Sequence, residues 1–167
     1  MTIPEFNSLS DVAARAELLR CCGSTLWAEG MLRRRPLADK AAVLAAASAA
    51  WAETGENDRL EAFAQHPRIG GKDALSAKFA ATKSWAQGEQ AAVAAADEAT
   101  LDALEKGNAA YEARFGHVFI VCATGKSAPE MLALLRARLA NDPKTEKALA
   151  AAEQAKITKI RLEKLLT

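Results

Sequence analysis

Three polar side chains fall where the sequence pattern asks for apolar ones. Glu89 lies four residues after Trp85 and four before Val93, so a helix through this stretch sets its carboxylate on the same face as two core candidates. Arg161 repeats the situation, four residues from both Ile157 and Leu165. His66 stands directly before Pro67, which restricts it to extended backbone at the end of a helix. Burying an unpaired charge is costly, so inward-facing charges of opposite sign point to a site that needs them. An acid, a base and a guanidinium fork suit a small anionic substrate: the fork binds a carboxylate or ureido group, while His and Glu exchange protons near neutral pH. Proton transfer and decarboxylation both fit such a set. So does a blander arrangement, in which Glu89 borders a solvent edge marked by Gly88 and Gln90, Arg161 snorkels and His66 is structural. Spacing does not rank Arg161 above Arg136, which lies four residues after Leu132. His117, in Gly116-His117-Val118, reads as exposed at a turn.

Other chemistries find little support. Two histidines and three cysteines show no metal-ligand spacing, no glycine-rich phosphate loop opens a helix after a strand, and Cys122 with a distant histidine does not argue for a thiol nucleophile. The expectation is therefore no metal. Cys21 and Cys22 are adjacent and the cysteine count is odd, which speaks against a disulfide framework and for a reducing compartment. With 22 basic and 21 acidic residues, no overall field recruits nucleic acid or an anionic membrane. The run Arg33, Arg34, Arg35 before Pro36 reads as a solvated helix end. Met1 to Leu9 contains an acidic residue and no long apolar core, and the last three residues match no targeting signal. A cytoplasmic protein with no membrane span is the expectation.

The elements that must position these residues are helices. Alanine is abundant, β-branched residues are sparse and aromatics few, so an all-α, single-domain multi-helix bundle over residues 1–167 is predicted. Helices are expected over Asp11 to Arg20, Ser24 to Leu32 with Trp27 and Met31 on one face, and Ala38 to Trp51. Asp58 caps a short helix ahead of His66-Pro67, and Ile69-Gly70-Gly71 makes a loop. A weak helix over Asp73 to Thr82 precedes a clearer one opened by Ser84, and a further helix carries Leu101, Leu104, Asn108, Tyr111 and Phe115 to an end at Gly116. The apolar run Val118 to Cys122 has no partner strand, so a short buried irregular segment is predicted there. Ser127-Ala-Pro-Glu130 has capping-box spacing for the next helix, and Asp142-Pro143 opens a last helix running to about Leu166.

Several motifs in chain order carry a resemblance. The stretch Leu19 to Trp27, Ala64-Gln-His-Pro-Arg-Ile-Gly70, Gly88-Glu-Gln90, Asn108-Ala-Ala-Tyr-Glu-Ala-Arg-Phe-Gly116, Phe119-Ile-Val-Cys-Ala-Thr-Gly125 and Lys156-Ile-Thr-Lys-Ile-Arg-Leu162 together resemble 2-oxo-4-hydroxy-4-carboxy-5-ureidoimidazoline (OHCU) decarboxylases, which catalyse the last step from urate to (S)-allantoin. The resemblance spans nearly the whole chain. It implies an all-α homodimer acting on this small-molecule substrate without metal or organic cofactor. It also implies that His66 is the proton donor with Glu89 as its catalytic partner, that Pro67 lines the ligand, and that Ala86, Gln87, Gly88, Glu89 and Gln90 contact it. The main chain of Phe119, Ile120, Val121, Cys122 and Ala123 would hold the heterocycle, and Arg161, now ranked above Arg136, would bind one end of the substrate. One departure matters: the family commonly has serine three residues before its Glu-Gln glutamate, where this chain has Ala86. The alternatives from the residues alone are a non-catalytic helical interaction module and another lyase or hydrolase of a ureido acid.

Overall fold

The computed structural model describes residues 1–66 and 98–166. Eight helices occur among these residues and no strand: α1 (Ile3–Ser8), α2 (Asp11–Cys21), α3 (Thr25–Leu32), α4 (Lys40–Ala52), α5 (Glu56–Ala64), α6 (Glu98–Phe115), α7 (Ala128–Leu139) and α8 (Pro143–Leu165). The all-α expectation holds. The sequence-predicted helices over Asp73 to Thr82 and from Ser84 lie outside the described residues, as do Pro67, Ala86, Gln87, Gly88, Glu89 and Gln90. No described helix is long and apolar enough to cross a membrane.

The chain divides into two compact units, Met1–His66 with Ala151–Thr167, and Pro67–Ala150. In the first, α2 and α4 pack on α3 around Phe6, Leu18, Trp27, Met31, Val43 and Leu162. The alanine-rich face of α4 permits a close approach, and a Cβ on Gly30 of α3 would come within 2.9 Å of the Ala50 Cβ. Ser24 caps α3 through Trp27 N at 3.2 Å, and Asp39 caps α4 through Ala42 N at 2.8 Å. Sequence reading missed α1, whose Thr2 and Glu5 form a capping box. It also misassigned Asp58, which sits inside α5 and accepts from Gly55 N at 2.8 Å instead of capping it. The arginine run is not simply solvated. Arg34 donates to Gly30 O at 2.8 Å and pairs with Glu53, while Arg35 donates to Asn7 O at 2.7 Å and stacks 5.3 Å over the Phe6 ring.

In the second unit, α6 packs on α7 over a core of Leu104, Tyr111, Phe119, Val121, Met131 and Leu135. Gly116 ends α6 with φ +75°, a left-handed turn that glycine takes at no steric cost. Ser127 and Glu130 form the expected capping box of α7. Asp142 caps α8, accepting from Thr145 N at 3.0 Å, with Pro143 in the first turn.

Candidate functional site

Two contacts along α5 carry His66 to its place. Near its middle, Glu61 accepts from Thr25 N at 2.9 Å and Thr25 Oγ1 at 2.6 Å, satisfying the N-terminus of α3. At its end, Gln65 lies so close over Gly23 that a Cβ there would meet Gln65 Cγ at 2.3 Å. His66 follows as a bend, its N–H donating to Phe63 O at 3.1 Å and its ring half-buried.

The ring meets the last helix. His66 Nε2 lies 2.6 Å from Gln154 Oε1, and Gln154 Nε2 donates to Thr158 Oγ1 at 3.2 Å. Gln154 is fully buried and Thr158 nearly so. An amide oxygen only accepts, so Nε2 carries the hydrogen in this contact. Thr158 in turn touches the Cys22 thiol, which burial pushes above its ordinary pKa, and burial likewise pushes the Cys21 thiol up to about 11 even with Arg161 nearby.

Arg161 lies on the same face of α8, at i+7 from Gln154, or about 10 Å along the axis. Its Nη1 donates to Cys21 O at 3.3 Å and Arg20 O at 3.5 Å, placing the cation at the carbonyl end of α2. The residue is half-buried, as are Ile157 and Leu165. The stripe Ile157, Arg161, Leu165 is therefore a flank, and the buried line of the helix is Glu146, Ala150, Gln154, Thr158 and Leu162. Gln154 and Thr158 escaped the sequence reading because both are polar, although their four-residue spacing to Leu162 was visible.

Replacing Gln154 with leucine removes the acceptor of His66 and the donor to Thr158, leaving buried polar atoms without those partners. The expected loss is about 1–3 kcal/mol. At about 2–4 °C per kcal/mol for a chain of this size, thermal denaturation reads it directly. An unchanged midpoint would show that these contacts carry no stability.

In the other unit, Phe119, Ile120, Val121 and Cys122 are buried and Ala123 half-buried, in irregular backbone as predicted. Its carbonyls are met by cations and by a turn: Arg138 Nη1 donates to Ile120 O at 2.6 Å, Lys126 Nζ to Cys122 O at 2.7 Å, and Lys126 N to Ala123 O at 3.1 Å. Arg136 is exposed, and the inward arginine of α7 is Arg138, three residues after Leu135. Arg138 Nε donates to Glu146 Oε1 at 2.7 Å, and Tyr111 Oη also donates to that oxygen. Asn141 Nδ2 donates to Glu146 Oε2 at 2.8 Å. Burial pushes the Glu146 carboxyl up, but the hydrogen bonds from Arg138, Tyr111 and Asn141 outweigh it and hold it below the usual carboxylate value. His117 is buried, not exposed, packing edge-on against Tyr111 with centroids 5.5 Å apart. Its Nδ1 lies 3.0 Å from Val118 O, and burial lowers its pKa.

A cavity of about 240 Å³ lies between Trp27, Trp51, Ala47, Lys156, Thr158 and Lys159. It shares Thr158 with the His66 contacts but is lined by none of the sequence-predicted site residues. Among the described residues, no three His, Cys, Asp or Glu side chains converge to hold a metal ion.

Comparison with known proteins adds the following. Residues 7–163 match the family described as OHCU decarboxylase. The chain is similar to the uric acid degradation bifunctional protein TTL of Arabidopsis thaliana, 35% identical over 147 residues, which are 88% of this chain and 45% of that protein. It is 32% identical over 101 residues to the 2-oxo-4-hydroxy-4-carboxy-5-ureidoimidazoline decarboxylase of Amia calva, covering 60% of this chain and 57% of that one. The chain thus spans about half the length of the curated relatives it matches. A crystal structure of OHCU decarboxylase in the presence of (S)-allantoin superposes with a TM-score of 0.74 at 34% identity, over 89% of this chain and 96% of that one. A structure of (S)-allantoin synthase, 19% identical, also has a TM-score of 0.74, over 99% of this chain and 54% of that one, and shows the shared fold.

Proposed function

The chain belongs to the OHCU decarboxylase family, and on that premise we propose that it converts 2-oxo-4-hydroxy-4-carboxy-5-ureidoimidazoline to (S)-allantoin and carbon dioxide. The observation that carries the reading is the side of α8 that brings Gln154, with His66 bound to it, and Arg161 within about two turns of each other, in a chain matching the family over residues 7–163. The 34% identity to the structure obtained with (S)-allantoin supports it.

The substrate's carboxylate leaves from a carbon that also bears a hydroxyl and adjoins a ring C=N. The departing electron pair flows into that imine, so the substrate supplies the electron sink that other decarboxylases take from a cofactor. The protein's task is to orient, polarise and protonate. His66, tuned by Glu89, handles the hydroxyl and ring protons, with Gln154 Oε1 holding its ring at Nε2. Delivery from one face sets the (S) configuration. Arg161 has one terminal nitrogen on the α2 carbonyls and presents the rest of its fork to the ureido or carboxylate end. Pro67, Ala86, Gln87, Gly88 and Gln90 line the ligand with Glu89. The main chain of Phe119, Ile120, Val121, Cys122 and Ala123 holds the heterocycle. The active form is a single-domain protomer in a homodimer, working in the cytoplasm.

The test is turnover. Substrate freshly generated by urate oxidase and hydroxyisourate hydrolase should disappear faster with this protein than in its absence, with no metal added. Decay at the rate of the protein-free control would overturn the reading.

A further inference from the structure

Arg138 is the most heavily engaged buried cation among the described residues. Its Nε donates to Glu146 Oε1 at 2.7 Å, its Nη2 also reaches Glu146 and lies 3.3 Å from Tyr111 Oη, and its Nη1 donates to Ile120 O at 2.6 Å. The guanidinium stacks 4.7 Å from the Phe119 ring centroid. Glu146 is fully buried and closed on its other oxygen by Asn141.

Taking two charges out of water costs several kcal/mol per ion, and an apolar pair of the same volume often holds two helices equally well. Joining α7 to the start of α8 therefore does not by itself call for an ion pair. What an apolar pair cannot do is bind a carbonyl. Ile120 O belongs to a buried segment that has no neighbouring strand among the described residues, and a planar fork meets it while keeping two nitrogens on Glu146. Lys126 takes Cys122 O and its own N–H takes Ala123 O. At least three of the segment's five carbonyls are thus committed within the protein.

We infer that Arg138, charge-balanced by Glu146, is a positioning residue that sets the main-chain geometry of Phe119 to Ala123 for substrate recognition. The inference rests on the proposal that this segment holds the substrate's ring. Arg138 touches no reacting atom. Its loss is therefore expected in KM more than in kcat, whereas a merely structural role would lower the melting point and the active fraction with KM unmoved.

The experiment compares wild type with Arg138→Lys and with the charge-free double variant Arg138→Met/Glu146→Gln, using freshly generated substrate. Lysine keeps a cation beside Glu146 but replaces the fork with a point charge, and the double variant leaves no unpaired buried charge. Each folded variant should show KM raised about tenfold or more with kcat within about threefold, and faster hydrogen exchange of the amides from Phe119 to Ala123. A folded variant with unchanged KM overturns the inference and leaves the decarboxylase reading intact. An inactive wild type overturns that reading and the inference with it. Failure of both variants to fold would make the pair a folding element and also overturn the positioning role.

Discussion

Replacing His66 with alanine should lower turnover of the ureidoimidazoline by about a hundred- to ten-thousand-fold, the usual contribution of a positioned general acid or base. That range corresponds to about 2.7–5.5 kcal/mol of barrier. The fold should survive, because His66 follows α5 in a bend, its ring is half-buried, and among its contacts the hydrogen bond to Gln154 is an ordinary neutral one. Such a bond is worth about 1 kcal/mol. Far-ultraviolet circular dichroism would stay at the wild-type value while the rate collapses. A folded His66→Ala protein turning over at the wild-type rate would remove His66 from the mechanism.

Arg138→Met, made alone, should be strongly destabilising. It strands the fully buried Glu146 carboxylate, and breaking a buried pair from one side costs about 3–5 kcal/mol. That is a large part of the stability of an ordinary domain. The pH dependence should also reverse. In the wild type the Glu146 carboxyl is held below its unfolded value, so its contribution is complete above about pH 4.3 and is lost as pH falls through the folded pKa. In Arg138→Met the largest opposing partner is gone and burial dominates, so the folded pKa moves above the unfolded one. Stability then rises as pH is lowered through that pKa. Urea midpoints at several pH values between 7.5 and 4.5 read both effects. A variant as stable as wild type at pH 7.5 would contradict the account of Glu146 as a charged group that depends on Arg138.

The α8 helix shows why part of the site was legible and part was not. Pattern reading looks for apolar residues every three or four positions, and Ile157 and Leu165 supplied such a stripe with Arg161 inside it. The buried line is the adjacent one, and three of its five members are Glu146, Gln154 and Thr158. Hydrophobicity does not find a line built from polar groups, each satisfied by partners within its own unit. The same holds for α7, where Arg138 rather than Arg136 faces inward because it lies three residues from Leu135 and seven from Met131. His117 looked exposed because it follows a glycine turn, yet Tyr111 and Phe115 cover it. By contrast, caps depend on local chemistry, so Ser127 and Asp142 read correctly from the sequence. The irregular segment after Gly116 was legible for a negative reason: an apolar run with no second strand has nowhere to pair.

The family motifs added what periodicity could not. They selected Arg161 over Arg136, two residues that spacing left unranked; Arg136 is exposed and Arg161 half-buried. They also marked the stretch around Gly23, where the close approach of Gln65 leaves no room for a larger residue beside His66.

Stereochemistry is the most direct test of the central claim, because only a bound, one-sided protonation makes a single enantiomer. Circular dichroism should therefore follow allantoin formation when this protein meets freshly generated substrate. A rapid rise of the (S)-allantoin signal, abolished in folded His66→Ala, is the predicted result. Slow optically inactive product at the protein-free rate would contradict the account.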